Sequence, residues 1–187
     1  MIGLIQKILL NMVHSIKGEE GVTQLKKLAQ VPQDKNFQIN NVYTDEEWQR
    51  LLTAALDLLQ LNQEEIEALY ADYFCNDVIV RFPTWFQMSK NSYEFLSIQP
   101  TIHNCFATGC ADAVARQAVN EKFKLEQLPN KLITHYRSPN KLCGLYKALA
   151  QWVIHYYKDE ANIEEKKCIK LGDDECEIHV NWTKLKS

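Results

Sequence analysis

Three groups of residues in this chain carry side chains that do chemistry. They are the run Tyr136-Arg137-Ser138-Pro139-Asn140-Lys141-Leu142-Cys143, a histidine at 103 inside an apolar stretch, and the cysteines at 143, 168 and 176. In the first, Ile133, Tyr136 and Ser138 read as a strand that runs into a helix with Ser138 as its N-cap and Pro139 at its first position. Such a turn presents free backbone N–H groups and the positive end of the helix dipole, and it sets the Tyr136 and Ser138 hydroxyls on one side of the strand end. That is the chemistry of a carboxylate site, although an ordinary capped helix uses the same residues. His103 follows Leu96, Ile98 and Ile102 and shares a helix face with Phe106, Ala107, Cys110 and Val114. A neutral imidazole on an apolar wall suits haem iron, although a lone histidine there is more often a satisfied core residue. The anion-holding turn downstream favours haem, whose two propionates need such a turn. Cys168 and Cys176 are symmetric about Gly172, so a tight hairpin sets them across from each other, about 4.5 to 5.5 Å apart at Cβ, with Cys143 at the start of the preceding helix. A metal set, a thiol pair that oxidises and inert buried cysteines all fit these three residues.

The elements that must hold these groups follow from periodicity and punctuation. Ile2, Ile5, Ile8, Leu9, Met12, Val13 and Ile16 recur at helical spacing, and a polar segment follows over 30–42. Thr44 with Glu47, and Asn62 with Glu65, are capping boxes. They open two helices, one with Trp48, Leu51, Leu52, Ala55, Leu58 and Leu59 inward, the other running through Leu69, Tyr70, Tyr73 and Phe74. Leu61 and Ile66 form a staple, and the pair reads as a helical hairpin. Phe82-Pro83-Thr84-Trp85-Phe86 breaks the pattern, and Pro100 opens the helix that carries His103. Residues 105–110 are followed by a polar run over 116–126. A strand over 132–136, a helix over 139–157 and a terminal hairpin turning at Gly172-Asp173-Asp174 complete the chain, with Cys176, Ile178, Val180 and Trp182 in strict alternation. The fold class is α+β, with a helical N-terminal part and a C-terminal part of antiparallel strands and helices.

A length of 187 residues suits one domain with a sizeable core. A net charge of −3 with both signs interspersed offers no footprint for nucleic acid or an anionic membrane surface. The apolar start lacks a basic region and a cleavage site, so it reads as a buried helix and the chain as cytoplasmic, with six cysteines too scattered for a secreted disulfide framework.

Over nearly its whole length the chain resembles the haem nitric oxide/oxygen binding domains called H-NOX, of the stand-alone bacterial type. The resemblance rests on Met1-x-Gly3-x-Ile5, on Ile102-His103, on Tyr136-x-Ser138 with Pro139 and Lys141-Leu142-Cys143, and on Cys168 with Gly172-Asp173-Asp174-x-Cys176. It implies a single domain over 1–187, with a distal helical subdomain (1–60), a proximal α+β subdomain (61–187) and haem b between them. It makes His103 the iron ligand and assigns Tyr136 and Ser138 to the propionates. Asn140 stands where the family has arginine, which removes a fixed charge and a bidentate partner; Arg137 points to the other face by strand alternation. The segment after His103 also lacks the family's proline-rich stretch.

The same resemblance places Ile5, Leu9, Phe74, Val78, Leu145 and Leu149 around the bound gas, none with a hydrogen-bond donor. That set favours NO and CO over O₂, which depends on a donor, and Tyr146 lies about 100° around the helix from Leu145. Some members bind zinc through three cysteines and a histidine three residues before the middle one; here that position is Glu165. The implied role is a gas sensor, not an enzyme, that loosens His103 on binding NO and signals to a separately encoded histidine kinase or cyclic-dinucleotide enzyme. A haem-poor thiol or zinc redox sensor and a hydrophobic-ligand carrier of the same fold are the alternatives.

Overall fold

The structure is a computed structural model that describes residues 2–108, 123–138 and 140–186. The chain forms two compact units, Met1–Phe74 and Cys75–Ser187, which divide inside one helix. The first unit opens with α1 (Gly3–Leu28), bent where Gly18 takes φ 67°, a left-handed conformation that glycine adopts at no steric cost. Gly3 is needed for a different reason: a Cβ there would lie 2.1 Å from the Gln38 carbonyl oxygen, so the polar segment closes over the start of α1 only if residue 3 has no side chain. The Lys26 ammonium anchors that segment by donating to the carbonyls of Gln33 and Lys35 at 2.9 and 3.0 Å.

Both expected capping boxes begin helices. The Thr44 hydroxyl accepts from the Glu47 N–H at the start of α2 (Asp45–Leu59). Asn62 and Glu65 exchange reciprocal bonds of 3.0 and 2.8 Å at the start of α3 (Gln63–Arg81). The expected α2–α3 hairpin differs in its packing. α2 lies chiefly on α1; Trp48, Leu51 and Ala55 of α2 and Leu9, Met12 and Val13 of α1 are buried, while Trp48 meets Tyr70 of α3 edge-on at 5.7 Å.

The second unit is built on an antiparallel sheet in the order β1-β2-β4-β3. Its strands are β1 (Phe123–Leu128), β2 (Lys131–Tyr136), β3 (Glu160–Lys167) and β4 (Cys176–Lys184). The alternation read in the sequence sets Leu132, Thr134 and Tyr136 of β2 beside Cys176, Ile178, Val180 and Trp182 of β4 on the buried face. β1 differs from the expected polar run: residues 123–126 belong to a strand. As an edge strand it buries little and so carries no apolar alternation.

Between the last end of α3 and the sheet run α4 (Pro83–Gln87), α5 (Ser92–Ser97) and α6 (Gln99–Thr108), the last carrying His103. Ser92, at the start of α5, is tied down from both sides. Its N–H and hydroxyl both donate to Asp159 Oδ2 (2.7 and 2.6 Å), and the Trp182 indole N–H donates to its oxygen at 2.7 Å. All these groups are buried, so the bonds are made where an unmet polar group is costly, and α5 leaves the sheet in one fixed direction. The side chains of Phe106 and Ala107, and all of Cys110, Val114 and the run 116–122, lie outside the described residues.

α7 (Cys143–Tyr157) packs Tyr146, Ala150, Val153 and Ile154 inward. It starts four residues later than expected, with Leu142 as its N-cap and not Ser138. Lys141 takes φ 51°, which no helix interior accommodates, and the Ser138 hydroxyl accepts from the Asn140 N–H two residues on, closing a local turn instead of capping the helix. Pro139 lies outside the described residues.

Candidate functional site

His103 is half-buried on α6, next to buried Ile102 and after buried Phe95 and Leu96. Its ring meets Phe123 of β1 edge-on, centroids 4.7 Å apart, and Phe123 in turn lies 5.1 Å from the Tyr136 ring and 5.6 Å from that of Tyr146. Phe123 therefore links the histidine to the turn that follows β2. It was not anticipated as a site residue, because in the sequence it sits within the polar run and only the pairing of β1 with β2 brings it to His103.

The turn itself is closed on its own backbone. The buried Tyr136 hydroxyl accepts from the Leu142 N–H at 3.2 Å, and the buried Ser138 hydroxyl accepts from the Asn140 N–H at 3.3 Å. Burial pushes the Tyr136 phenol above its ordinary pKa, with hydrogen bonds from Ser138 and the Leu142 N–H pulling partly the other way, so it stays a neutral donor at any physiological pH. Asn140 is 7% exposed, and neither atom of its side-chain amide meets a hydrogen-bond partner among the described residues. Leaving such a group buried and unmet costs about 1 to 3 kcal/mol, and its Nδ2 has the chemistry to donate to a carboxylate. Arg137 is exposed and its guanidinium reaches Glu175 at 3.5 Å, on the outward side of the sheet, as strand alternation requires.

The cysteines come together as the Gly172 symmetry suggested. β3 and β4 pair Lys167 with Glu177, next to Cys168 and Cys176 in the chain. Cys143, at the first position of α7, closes over them, with its sulfur 3.7 Å from that of Cys168. Together with a Glu165 oxygen, the three sulfurs lie within 4.8 Å of one another. The turn around Cys168 is tightened by Asp173, whose carboxylate accepts from the Cys168 N–H at 2.7 Å, while the Ile169 N–H donates to the Cys176 sulfur at 3.3 Å. Burial drives the Cys143 thiol well above the ordinary range and raises that of Cys176, so without a metal both are protonated. Glu165 is held below its ordinary value: burial raises it, but hydrogen bonds from Lys147 and from the Cys168 and Cys143 thiols prevail. Lys147 Nζ donates to Glu165 Oε2 at 2.8 Å. Three sulfurs and a carboxylate within a few ångströms suit a tetrahedral dication such as zinc.

Of the six residues expected around a gas ligand, Ile5 and Leu9 stand one turn apart on α1, Phe74 and Val78 one turn apart on α3, and Leu145 and Leu149 one turn apart on α7. Leu9, Val78 and Leu145 are buried and the other three half-buried. The Tyr146 hydroxyl is committed to Thr134 Oγ1 on β2 at 2.6 Å, and its pKa is pushed up to about 12 by burial. One buried polar residue on α1 was not anticipated: the amide of Gln6, wholly enclosed, meets no hydrogen-bond partner among the described residues.

Comparison with known proteins agrees with the resemblance read from the motifs. The haem-NO-binding family profile matches residues 2–165. An H-NOX protein from S. oneidensis in the Fe(II)NO ligation state superposes with a TM-score of 0.78 at 17% identity, over 98% of this chain and 99% of that one. An unliganded Fe(II) H-NOX mutant from K. algicida gives 0.74 at 20%, over 98% and 97%. An oxygen-binding H-NOX domain related to soluble guanylate cyclases gives 0.76 at 14%, over 98% and 95%. At these identities the structural likeness speaks for the fold. No match is found among curated proteins.

Proposed function

The chain belongs to the haem-NO-binding (H-NOX) family, and from that premise we propose that it is a gas sensor carrying haem b on His103 and responding to NO and CO. The observation that carries the proposal is the continuous contact from His103 through Phe123 to Tyr136, ending in a turn where the Asn140 amide is buried and unmet. These residues fit the group. His103 would hold the iron, Phe123 would fix the imidazole's tilt, and Tyr136, Ser138 and Asn140 would meet the propionates. When bound, haem supplies an open iron position for a diatomic ligand. Ile5, Leu9, Phe74, Val78, Leu145 and Leu149 offer that ligand no hydrogen bond, which leaves O₂ without the donor its partial negative charge depends on and leaves NO and CO unaffected.

Loosening of His103 would be felt first in α6 and then at the end of α5, where Ser92, Asp159 and Trp182 join the helices to β4. That is the route by which the proximal unit would report to a separate protein, a histidine kinase or a cyclic-dinucleotide enzyme in the cytoplasm. Among the described residues no helix is long and apolar enough to cross a membrane. The test is an absorption spectrum of the reduced protein before and after NO. A Soret band that shifts with NO, and that is lost in His103→Gly until imidazole is supplied, supports the assignment. An identical spectrum in His103→Gly refutes it.

A second role is favoured by one specific observation, the convergence of Cys143, Glu165, Cys168 and Cys176. These four would hold zinc, and loss of the metal on oxidation of the thiols would make the hairpin a redox-responsive element.

A further inference from the structure

The fourth donor at the thiol site is a carboxylate, and the structure shows what would make it tolerable. Four anionic donors around a dication leave a formal charge of minus two in a buried place, whereas three thiolates with a neutral fourth donor leave minus one. Excess buried charge of one sign is costly unless something opposite lies beside it. Here Lys147 does. It stands one turn after Cys143 on α7, so both side chains project from the same helix face toward β3, and its Nζ lies 2.8 Å from Glu165 Oε2. That bond engages one carboxylate oxygen from outside and leaves the other, Oε1, buried and without a nitrogen or oxygen donor among the described residues.

We propose that Lys147 is the positioning residue of this site. It restores the net charge that a neutral fourth ligand would give, and it fixes Glu165 so that a single oxygen is presented to a divalent metal beside the three sulfurs. The inference rests on the zinc reading above. A plain Lys–Glu pair at the surface contributes about 0 to 1 kcal/mol and would have no bearing on a metal. The pair here has a different context: the carboxylate is mostly buried and within reach of three thiols.

The experiment uses the full chain, reduced and freed of metal, with Co²⁺ as a spectroscopic probe and Zn²⁺ affinity measured against a chromophoric chelator. The unmodified protein should show the intense near-ultraviolet absorption of cobalt–thiolate bonds and tetrahedral visible bands. Lys147→Met should weaken zinc binding about 10- to 100-fold, the usual effect of removing an outer-sphere partner, and Lys147→Arg should largely retain it. In a Glu165→His background, where the fourth donor is already neutral, Lys147→Met should leave zinc affinity unchanged. If the unmodified protein gives no cobalt–thiolate absorption, the metal reading itself falls and this inference with it. If it binds cobalt and zinc but Lys147→Met binds zinc equally well, or loses the same affinity with histidine at 165, the metal reading stands and the role given to Lys147 is wrong. Far-ultraviolet circular dichroism and the unaltered haem spectrum show that each variant is folded.

Discussion

Asn140→Arg separates a site built for a carboxylate from an accidental buried amide. The native side chain is almost fully enclosed and unmet among the described residues, and its backbone N–H is already spent on the Ser138 hydroxyl, so the substitution leaves the turn's own hydrogen bonds in place. A guanidinium adds a fixed charge and two parallel donors. A hydrogen bond to a charged group contributes about 1.5 to 3 kcal/mol, which corresponds to haem held roughly 10- to 150-fold more tightly. The larger side chain also strains a packed position, and that overpacking costs the haem-free protein about 1 to 3 kcal/mol. The two effects have opposite signs and separate readouts: haem loss to excess apomyoglobin, and urea unfolding of the haem-free protein. Asn140→Leu should do the reverse, stabilising the haem-free fold by removing an unmet amide while releasing haem faster. An arginine variant that is folded yet loses haem as fast as the native protein would refute the assignment of this turn to the propionates.

Leu145→Tyr adds a hydroxyl where the native residue has none, and the reduced variant should form an oxygen complex that persists in air while the native protein does not; a stable oxygen spectrum in the native protein would overturn the proposed role of these six residues. Gln6→Met keeps the shape of a wholly buried side chain and removes two polar atoms unmet among the described residues, so the urea midpoint should rise, by the equivalent of about 1 to 2 kcal/mol. His135 lies between Glu175 at 2.8 Å and Glu126 at 3.1 Å, with Arg137 also on Glu175. Burial lowers its pKa but the hydrogen bonds and charges of the two carboxylates prevail and hold it above the ordinary value. Its stabilisation is complete below the unfolded value of about 6.5 and is lost as pH rises through the higher folded value. His135→Gln should therefore destabilise the protein more at pH 6 than at pH 8.5, and equal losses at both would show that the ring is not charged in the fold.

What could be read from the sequence was local. Thr44 with Glu47 and Asn62 with Glu65 announce helix starts because each capping bond spans three residues. The alternation of Cys176, Ile178, Val180 and Trp182 announces β4 because one face is buried along its length. β1 escaped because an edge strand buries almost nothing, and with it went Phe123, whose contact with His103 exists only through strand pairing. The start of α7 was misplaced because Ser138 and Pro139 look like a cap, whereas the left-handed turn at Lys141 decides where the helix begins. Lys147 carries a faint signal, since it follows Cys143 by one helical turn. Nothing in the spacing says that it meets Glu165, which comes from another element.

The two candidate sites are not independent pieces of structure. Tyr136, Cys143, Cys168 and Cys176 belong to one buried cluster, with Phe123 and Leu142 packed on it. The residue that donates to the Tyr136 hydroxyl is Leu142, immediately before the cysteine that closes over the other two. Groups that share a core and a chain segment in this way do not add their effects, because a shift in one resets the packing of the other. Haem retention measured with the thiols reduced, metal-bound or oxidised is therefore three different measurements. The Asn140→Arg comparison has meaning only when both proteins are held in the same one of those states.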